Sequence, residues 1–224
     1  LDQSLGSEPV TTLTGLKVRI AWTSWVGSES TKTDTLALLN RIMRVCVEAG
    51  LIPVNPAHGL RLKRNRDAKT PARRALSLAE LERFLAHVPD GPYRWACQAL
   101  AYTGCSLGEV AALTPLDVNL DEALIDVARS LSPDRHGRLL MGPTKQRRAR
   151  YVPIIPQMRA VLDKAMEEKS ASDLLFTGPR GGALDSSNLA RSIGLTDWRD
   201  EVKAYPPGEN PLHLHDLRHT AFTI

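Results

Sequence analysis

The sequence predicts a mainly α-helical protein with a small antiparallel β-sheet, an α+β fold arranged in two parts. Apolar residues recur at intervals of three and four along several segments, as on the buried face of a helix. Three short apolar runs between residues 123 and 154 are separated by turn residues, a pattern typical of short strands. A stretch without apolar periodicity, residues 61–74, separates a shorter helical part from a longer part that contains the predicted sheet.

The first part, residues 1–60, contains one helix that the apolar pattern predicts. Residues 1–32 are rich in Ser, Thr and Gly and receive no assignment. From Thr33 to Ala49 the apolar residues share one helical face, and Gly50 is a typical residue just beyond a helix end. The prolines within residues 51–56 favour an extended segment there.

The second part, residues 75–224, begins with the spacing of a capping box, Ser77 followed by Glu80, which predicts a helix through about His87. The strands of the predicted sheet are residues 123–128, 138–141 and 150–154. Further helices are predicted over Tyr93–Tyr102, Leu107–Leu113, Pro156–Lys169, Ser186–Ile193 and Thr196–Val202, with a last helix from about His215.

Composition places the chain among ordinary globular proteins. It has 224 residues, of which 42% are apolar and 24% charged, and this balance excludes a collagen-like or wholly disordered chain. Since no apolar run is long enough for a membrane span and the first residues lack an apolar signal core, we expect neither membrane association nor secretion. Cys46, Cys97 and Cys105 are odd in number and widely spaced, which favours a reduced, cytoplasmic compartment.

Positive charge is concentrated in two short segments. Residues 61–74 hold seven Lys and Arg against one acid, and residues 145–150 hold four basic residues and no acid. The rest of the chain has 18 basic and 24 acidic residues, although the whole chain is net +4. Basic patches on an acidic body are typical of proteins that bind a polyanion such as nucleic acid, but a solvated linker and a basic turn would give the same counts.

A cluster of candidate site residues lies near the end of the chain. His215 and Arg218 are three apart, so on a helix they share one face. A guanidinium holds two phosphate oxygens, and an imidazole moves a proton near neutral pH. Lys145, in a turn between two predicted strands, would add a third cationic group. The same residues also leave open a metal site at His213, His215 and His219, and a purely structural role.

Three motifs in order resemble those of the tyrosine site-specific recombinases, the phage integrase family. The first is Thr103-Gly104-Cys105-Ser106 with Glu109 and Asp117 after it, the second runs from Thr144-Lys145 to Arg150-Tyr151-Val152-Pro153, and the third is His215-Asp216-Leu217-Arg218. Residues 36–56 are similar to the end of the family's core-binding domain. The resemblance thus implies the C-terminal part of a helical core-DNA-binding domain over residues 1–60, a basic linker over 61–74 and a recombinase catalytic domain over 75–224.

The resemblance implies a mechanism of DNA strand cleavage and rejoining. A tyrosine attacks a backbone phosphate to form a 3′-phosphotyrosine, and no metal or other cofactor is needed because the covalent intermediate keeps the phosphodiester energy. Lys145 would be the general acid for the leaving 5′-oxygen, His215 would assist proton transfer, and Arg218 would hold the scissile phosphate. Glu109 and Asp117 are interpreted as local structure. The basic residues expected to contact DNA are Arg61, Lys63, Arg64, Arg66, Lys69, Arg73, Arg74, Arg147, Arg148 and Arg150.

Two departures from the family pattern predict that the chain as given does not cleave DNA. The position of the family's first catalytic arginine holds Ser106, and Arg94 is a poor replacement. The four tyrosines all precede the third motif, whereas the family's nucleophile comes after it, so we expect it beyond Ile224. Both ends of the sequence are interpreted as cut, and residues 75–224 as a catalytic domain that stops before its nucleophile.

The expected partners are a double-stranded DNA attachment site, three further copies of the chain in a tetramer on paired sites, and an accessory DNA-bending protein. The main alternative is a catalytically dead relative that acts by occupying DNA. A weaker alternative is a metal-dependent nuclease. We predict no bound metal and no cofactor.

Overall fold

The computed structural model describes residues 5–61, 75–145, 148–195 and 212–223. The chain divides into two compact units, Leu1–Thr70 and Pro71–Ile224. The predicted helix over Thr196–Val202 lies outside the described residues. Over the ranges just given, no helix combines the length and the apolar character that crossing a membrane requires.

The first unit is helical. After a 3-10 turn at Val10–Thr12 come helices α1 (Gly15–Ser24) and α2 (Glu29–Glu48). The predicted helix from Thr33 is confirmed, but it begins a turn earlier because the hydroxyl of Ser28 accepts a hydrogen bond from the amide of Thr31. The buried side chains of this unit include Val18, Leu36, Leu39 and Met43.

The second unit begins with helices whose bounds agree closely with the predicted ones. They are α3 (Leu78–His87), α4 (Pro92–Thr103) and α5 (Leu107–Ala111). The capping box of Ser77 and Glu80 at the start of α3 is confirmed. Gly104 ends α4 with a φ of +64°, a left-handed conformation that glycine adopts without strain.

Within the described part of the second unit, five short strands form two antiparallel sheets. They follow a 3-10 turn at Pro115–Asp117 and are β1 (Val118–Asn119), β2 (Leu124–Val127), β3 (Arg129–Pro133), β4 (Leu139–Pro143) and β5 (Arg150–Pro153). Strand β2 lies between β1 and β5 in one sheet, and β3 pairs with β4 in the other. The pairs Val118↔Ile125, Ile125↔Val152 and Leu131↔Met141 give the register.

The expectation of one sheet made from residues 123–128, 138–141 and 150–154 was wrong in its pairing. Residues 139–141 belong to β4, whose partner is β3 rather than β2. Strand β3 was missed because Ser132 and Pro133 are among the turn residues predicted between the apolar runs, and proline is common in turns. Here Pro133 lies in a two-stranded sheet, in which both strands are edge strands and tolerate proline.

The later helices of this unit are α6 (Pro156–Met166), α7 (Ser186–Ser192) and α8 (Leu214–Thr220). Helix α4 packs against both α6 and α8, and α5 packs against β3. The core of this unit includes Phe84, Leu100, Met158, Leu162 and Leu217, each almost fully buried. The last helix of the predicted set begins at Leu214, next to its predicted start.

Candidate functional site

The carboxylate of Glu109 lies where three elements of the second unit meet. Glu109 is on α5, and its side chain is only 9% exposed. Arg150 reaches it from the start of β5, and Arg218 reaches it from α8. A buried carboxylate requires cationic partners and hydrogen bonds to remain ionised. We call these three residues, together with Ser106, the Glu109 cluster.

Ser106 and Glu109 form the capping box at the start of α5. The backbone amide of Ser106 donates to Glu109 Oε2 at 2.7 Å, and its hydroxyl donates to the same oxygen at 2.9 Å. The Ser-x-x-Glu spacing in the sequence accounts for this local geometry. The Ser106 side chain is therefore held against the carboxylate.

Arg150 makes a two-pronged ion pair with the same carboxylate. Its Nη1 lies 2.7 Å from Oε1 and its Nη2 lies 3.0 Å from Oε2. Nη2 is also 3.6 Å from the Sγ of Cys105. The paired fork of a guanidinium matches the two oxygens of a carboxylate, and this geometry is the strongest form of ion pair. The Arg150 side chain is nevertheless 39% exposed.

Arg218 is the second guanidinium of the cluster. Its Nη1 lies 3.8 Å from Glu109 Oε2, and its side chain is 34% exposed. Helix α8 is fixed by packing against α4 and by the buried hydroxyl of Thr220, which accepts a hydrogen bond from the amide of Leu76 at 3.0 Å. Arg218 is thus held within reach of Glu109, with its side chain partly exposed to solvent.

The charges of the cluster leave one positive charge in excess. Burial raises the pKa of Glu109, but the hydrogen bonds from Arg150 and Ser106 outweigh it and lower that pKa to about 2. The same carboxylate raises the pKa of Arg150. Burial raises the pKa of the Cys105 thiol, so this thiol is neutral at neutral pH. One carboxylate therefore faces two guanidinium groups, an arrangement that attracts an anion.

His215 and Lys145 are both exposed. His215 lies on α8 one turn before His219, and the two rings meet edge to face with centroids 5.0 Å apart. Lys145 comes after β4 and the buried Thr144, whose hydroxyl donates to the carbonyl of Arg148 at 3.0 Å. The convergence of Lys145 and His215 with Arg218 on one phosphate stays a prediction.

The residues expected to contact DNA fall into two groups. Arg61 and Arg148 are exposed, and Arg150 is engaged in the Glu109 cluster. The others lie outside the described residues, namely Lys63, Arg64, Arg66, Lys69, Arg73, Arg74 and Arg147.

Asp117 and Arg94 both make local contacts. Arg94 donates from Nε to the carbonyl of Val88 at 2.7 Å, and the expectation that it is a poor replacement for the missing arginine stays a prediction. Asp117 accepts from the amide of Thr114 and pairs with Arg129 at 2.6 Å. Glu109 has more than the local role predicted, since it also joins β5 and α8 to α5.

A signal for the wider role of Glu109 exists in the sequence. Glu109 is an acidic residue within the largely apolar segment Leu107–Leu113, over which a helix is predicted. Acidic side chains are almost never buried without a cationic partner. The pattern does not identify that partner, because Arg150 is 41 positions further along the chain.

Comparison with known proteins places the second unit in a family. Residues 74–224 match the family model described as the phage integrase family. The chain belongs to this family. No curated protein sequence matches the chain.

Among the described residues, no group of three or more His, Cys, Asp or Glu side chains is placed to hold a metal ion.

Solved structures share the fold at low sequence identity. The integrase of transposon Tn1549 in complex with a circular intermediate DNA is 17% identical, with a TM-score of 0.76, over 96% of this chain and 73% of that one. A lambda integrase dimer bound to a core site is 17% identical, with a TM-score of 0.63, over 98% and 76%. A lambda integrase tetramer bound to a Holliday junction is 15% identical, with a TM-score of 0.67, over 98% and 61%. At these identities the likeness concerns the fold.

Proposed function

We propose that this chain is the DNA-binding and catalytic region of a site-specific recombinase that acts on duplex DNA. The observation that carries the proposal is the pair of partly exposed guanidinium groups, Arg150 and Arg218, on one buried carboxylate. Such a pair offers charge and directional donors to a phosphate. Membership of the phage integrase family and the DNA complexes of the Tn1549 and lambda integrases support the same substrate class.

The proposed reaction in the intact enzyme is a transesterification at phosphorus. The hydroxyl of a tyrosine gives up its proton to solvent as its oxygen forms a bond to the phosphorus, the bond from phosphorus to the 5′-oxygen breaks, and a 3′-phosphotyrosine results. Lys145 gives the leaving 5′-oxygen its proton, and His215 assists proton transfer. Arg218 binds the non-bridging oxygens, where negative charge develops in the transition state. Attack by a 5′-hydroxyl reverses the step and rejoins the strand.

Ser106 lowers the cleavage rate that we expect of this chain. Its hydroxyl is a neutral donor, and it is already directed at Glu109. Loss of one preorganised donor costs about 10²–10³ in rate, and loss of an arginine at a phosphoryl centre costs about 10³–10⁵. We therefore propose that the chain binds DNA and is deficient in cleavage.

The proposed partners are those that the reaction requires. Exchange of strands between two duplexes requires several active sites, and the lambda integrase has been solved as a tetramer on a Holliday junction. We propose that this chain likewise acts as a homotetramer on paired attachment sites, with an accessory DNA-bending protein, in the cytoplasm of a bacterial host cell or associated with its nucleoid.

Salt-dependent duplex binding tests the proposed substrate. A labelled short duplex is titrated with the chain at several salt concentrations, and binding is monitored by fluorescence anisotropy. We expect the logarithm of the binding constant to fall linearly with the logarithm of salt concentration, because neutralised phosphates release counterions. Absence of binding, or binding that does not respond to salt, would contradict the proposal.

A second candidate function is occupancy of a DNA site without cleavage, as in a catalytically dead relative of the recombinases. It is favoured by Ser106, whose hydroxyl lies at the position of the family's first catalytic arginine. Ser106→Arg in a chain extended past Ile224 separates the two functions in an assay for covalent protein–DNA adducts on a nicked substrate. Ser187→Arg adds the same charge at an exposed position of α7 and is the matched control. Adducts with Ser106→Arg alone would favour an inactivated enzyme. Their absence from both would favour the DNA-occupying protein.

A further inference from the structure

The Glu109 cluster contains a guanidinium next to the position from which the family's first catalytic arginine is missing. Ser106 Oγ and Arg150 Nη2 both lie within hydrogen-bond distance of one oxygen, Glu109 Oε2, at 2.9 and 3.0 Å. Arg218 Nη1 lies 3.8 Å from that same oxygen. Because both nitrogens lie close to the same oxygen, Arg150 Nη2 and Arg218 Nη1 are also close to each other.

Arg150 retains donors that Glu109 does not use. A guanidinium has five N–H groups in a planar fork, and the carboxylate accepts from Nη1 and Nη2. The side chain is 39% exposed, so Arg150 is accessible to a ligand from solvent. An ion pair that orients a partly exposed guanidinium leaves it prepared to accept an anion, because little rotamer freedom remains to be lost.

The electrostatic balance permits Arg150 to act on an anion. Glu109 carries one negative charge, which offsets only one of the two guanidinium groups. The neighbouring Cys105 thiol is neutral because burial raises its pKa. A phosphate with one negative charge would bring the cluster close to neutrality.

We propose that Arg150 supplies a second guanidinium that binds the phosphate held by Arg218, while the catalytic arginine that Ser106 replaces stays absent. In this arrangement Glu109 is a positioning residue that orients Arg150 and holds it near Arg218. The inference rests on the proposed function, since the phosphate is that of duplex DNA. It sharpens the expectation that Arg150 contacts DNA by assigning it to the same phosphate as Arg218.

Inorganic phosphate tests the inference without knowledge of the target DNA sequence. The apparent Kd for phosphate is obtained from the rise of the thermal unfolding midpoint with phosphate, relative to chloride at equal ionic strength. We expect Arg150→Gln and Arg218→Gln each to raise this Kd about tenfold, because each removes a charge-assisted hydrogen-bonding group. Arg159→Gln is the matched control: it neutralises an arginine of α6 whose ion pair is with Asp163.

Two further variants keep the test independent of folding. Arg150→Gln leaves the buried Glu109 carboxylate without its main partner, so the double variant Glu109→Gln with Arg150→Gln replaces the ion pair by two amides. It too is expected to bind phosphate about tenfold more weakly. Ser106→Arg added to Arg150→Gln restores a guanidinium from the adjacent position, and we expect it to recover phosphate affinity.

The outcomes separate this inference from the proposed function. Wild-type affinity for phosphate in Arg150→Gln and in the double variant Glu109→Gln with Arg150→Gln, with weaker affinity in Arg218→Gln, would overturn the role of Arg150. Lack of any phosphate effect on the wild-type chain would overturn it as well. Duplex binding by the wild-type chain, measured in parallel, decides the proposed function, since failure there contradicts it whatever the phosphate result.

Discussion

A single carboxylate, Glu109, determines how the candidate site is arranged. It accepts two hydrogen bonds from Ser106, forms a two-pronged ion pair with Arg150 and lies near Arg218. A charge buried in this way is stable only with all of its partners, so removal of one partner has a large cost. Glu109, which completes the capping box of α5 with Ser106, therefore also holds two cations in place.

The lowered pKa of Glu109 predicts a pH-dependent contribution to stability. The pKa falls from its ordinary value of 4.5 to about 2, so the ionised carboxylate stabilises the fold above pH 4.5 and loses this effect as the pH falls through about 2. This shift corresponds to roughly 3 kcal/mol. Glu109→Gln does not titrate, so the difference in the free energy of unfolding between wild type and variant is expected to shrink between pH 4.5 and 2. Urea denaturation at several pH values measures it, and a constant difference would contradict this account.

Gly108 is a position where a side chain has no room. A Cβ at this position would clash with the carbonyl oxygen of Leu131 and would lie 2.6 Å from the hydroxyl of Ser130. Alanine is more favourable than glycine in a helix by about 1 kcal/mol. In Gly108→Ala the clash with the backbone of Leu131 is nevertheless expected to outweigh this gain and to lower the free energy of unfolding by about 1–3 kcal/mol. Gly142→Ala is the control, because a Cβ there meets nothing within 4 Å. Equal unfolding midpoints for both variants would refute the close approach of α5 to β3.

At the scale of elements, the position of α8 sets the position of Arg218. Helix α8 packs against α4, and Thr220 ties it to the segment before α3. This tie joins residues 144 positions apart, so no local pattern in the sequence could indicate it. Its loss should disturb both stability and the Glu109 cluster.

Thr220→Val tests this tie. Valine keeps the shape of threonine but leaves the buried amide of Leu76 without its acceptor, which is expected to cost about 1–3 kcal/mol. Thr220→Ser keeps the hydroxyl and is the control, with a smaller loss expected. Chemical denaturation compares the two. A valine variant as stable as the wild type would show that the hydrogen bond contributes little.

Local signals predicted most elements well. The capping box at Ser77, the apolar period of α2 and the proline at the start of α6 each act within one or two turns, so the sequence pattern is sufficient to locate those helices. The pairing of β3 with β4 was missed, because strand partners are chosen by contacts between distant residues and Pro133 had the pattern of a turn.

The candidate site was predictable only in part for the same reason. Motif order predicts Ser106, Lys145, His215 and Arg218 as site positions, and the structure brings Ser106 and Arg218 to one carboxylate. The link between Arg150 and Glu109 spans two elements and was not predicted. A basic residue in a charged segment looks the same in sequence whether it faces solvent or an internal acid.

For the whole molecule, the distribution of charge favours a polyanionic partner. Two basic segments, residues 61–74 and 145–150, stand against a remainder that is net negative. In the second unit, Glu109 places two cations at the site where the family motifs meet. The proposed function therefore depends on one contact, that of Arg218 with a phosphate of duplex DNA.

The salt dependence of duplex binding by Arg218→Gln tests that contact most directly. Each phosphate contact contributes about 0.9 to the slope of the logarithm of the binding constant against the logarithm of salt concentration. The slope for Arg218→Gln is predicted to be shallower than that of the wild type by about one such contact, with Arg159→Gln unchanged. A slope for Arg218→Gln equal to that of the wild-type chain would contradict the proposed function.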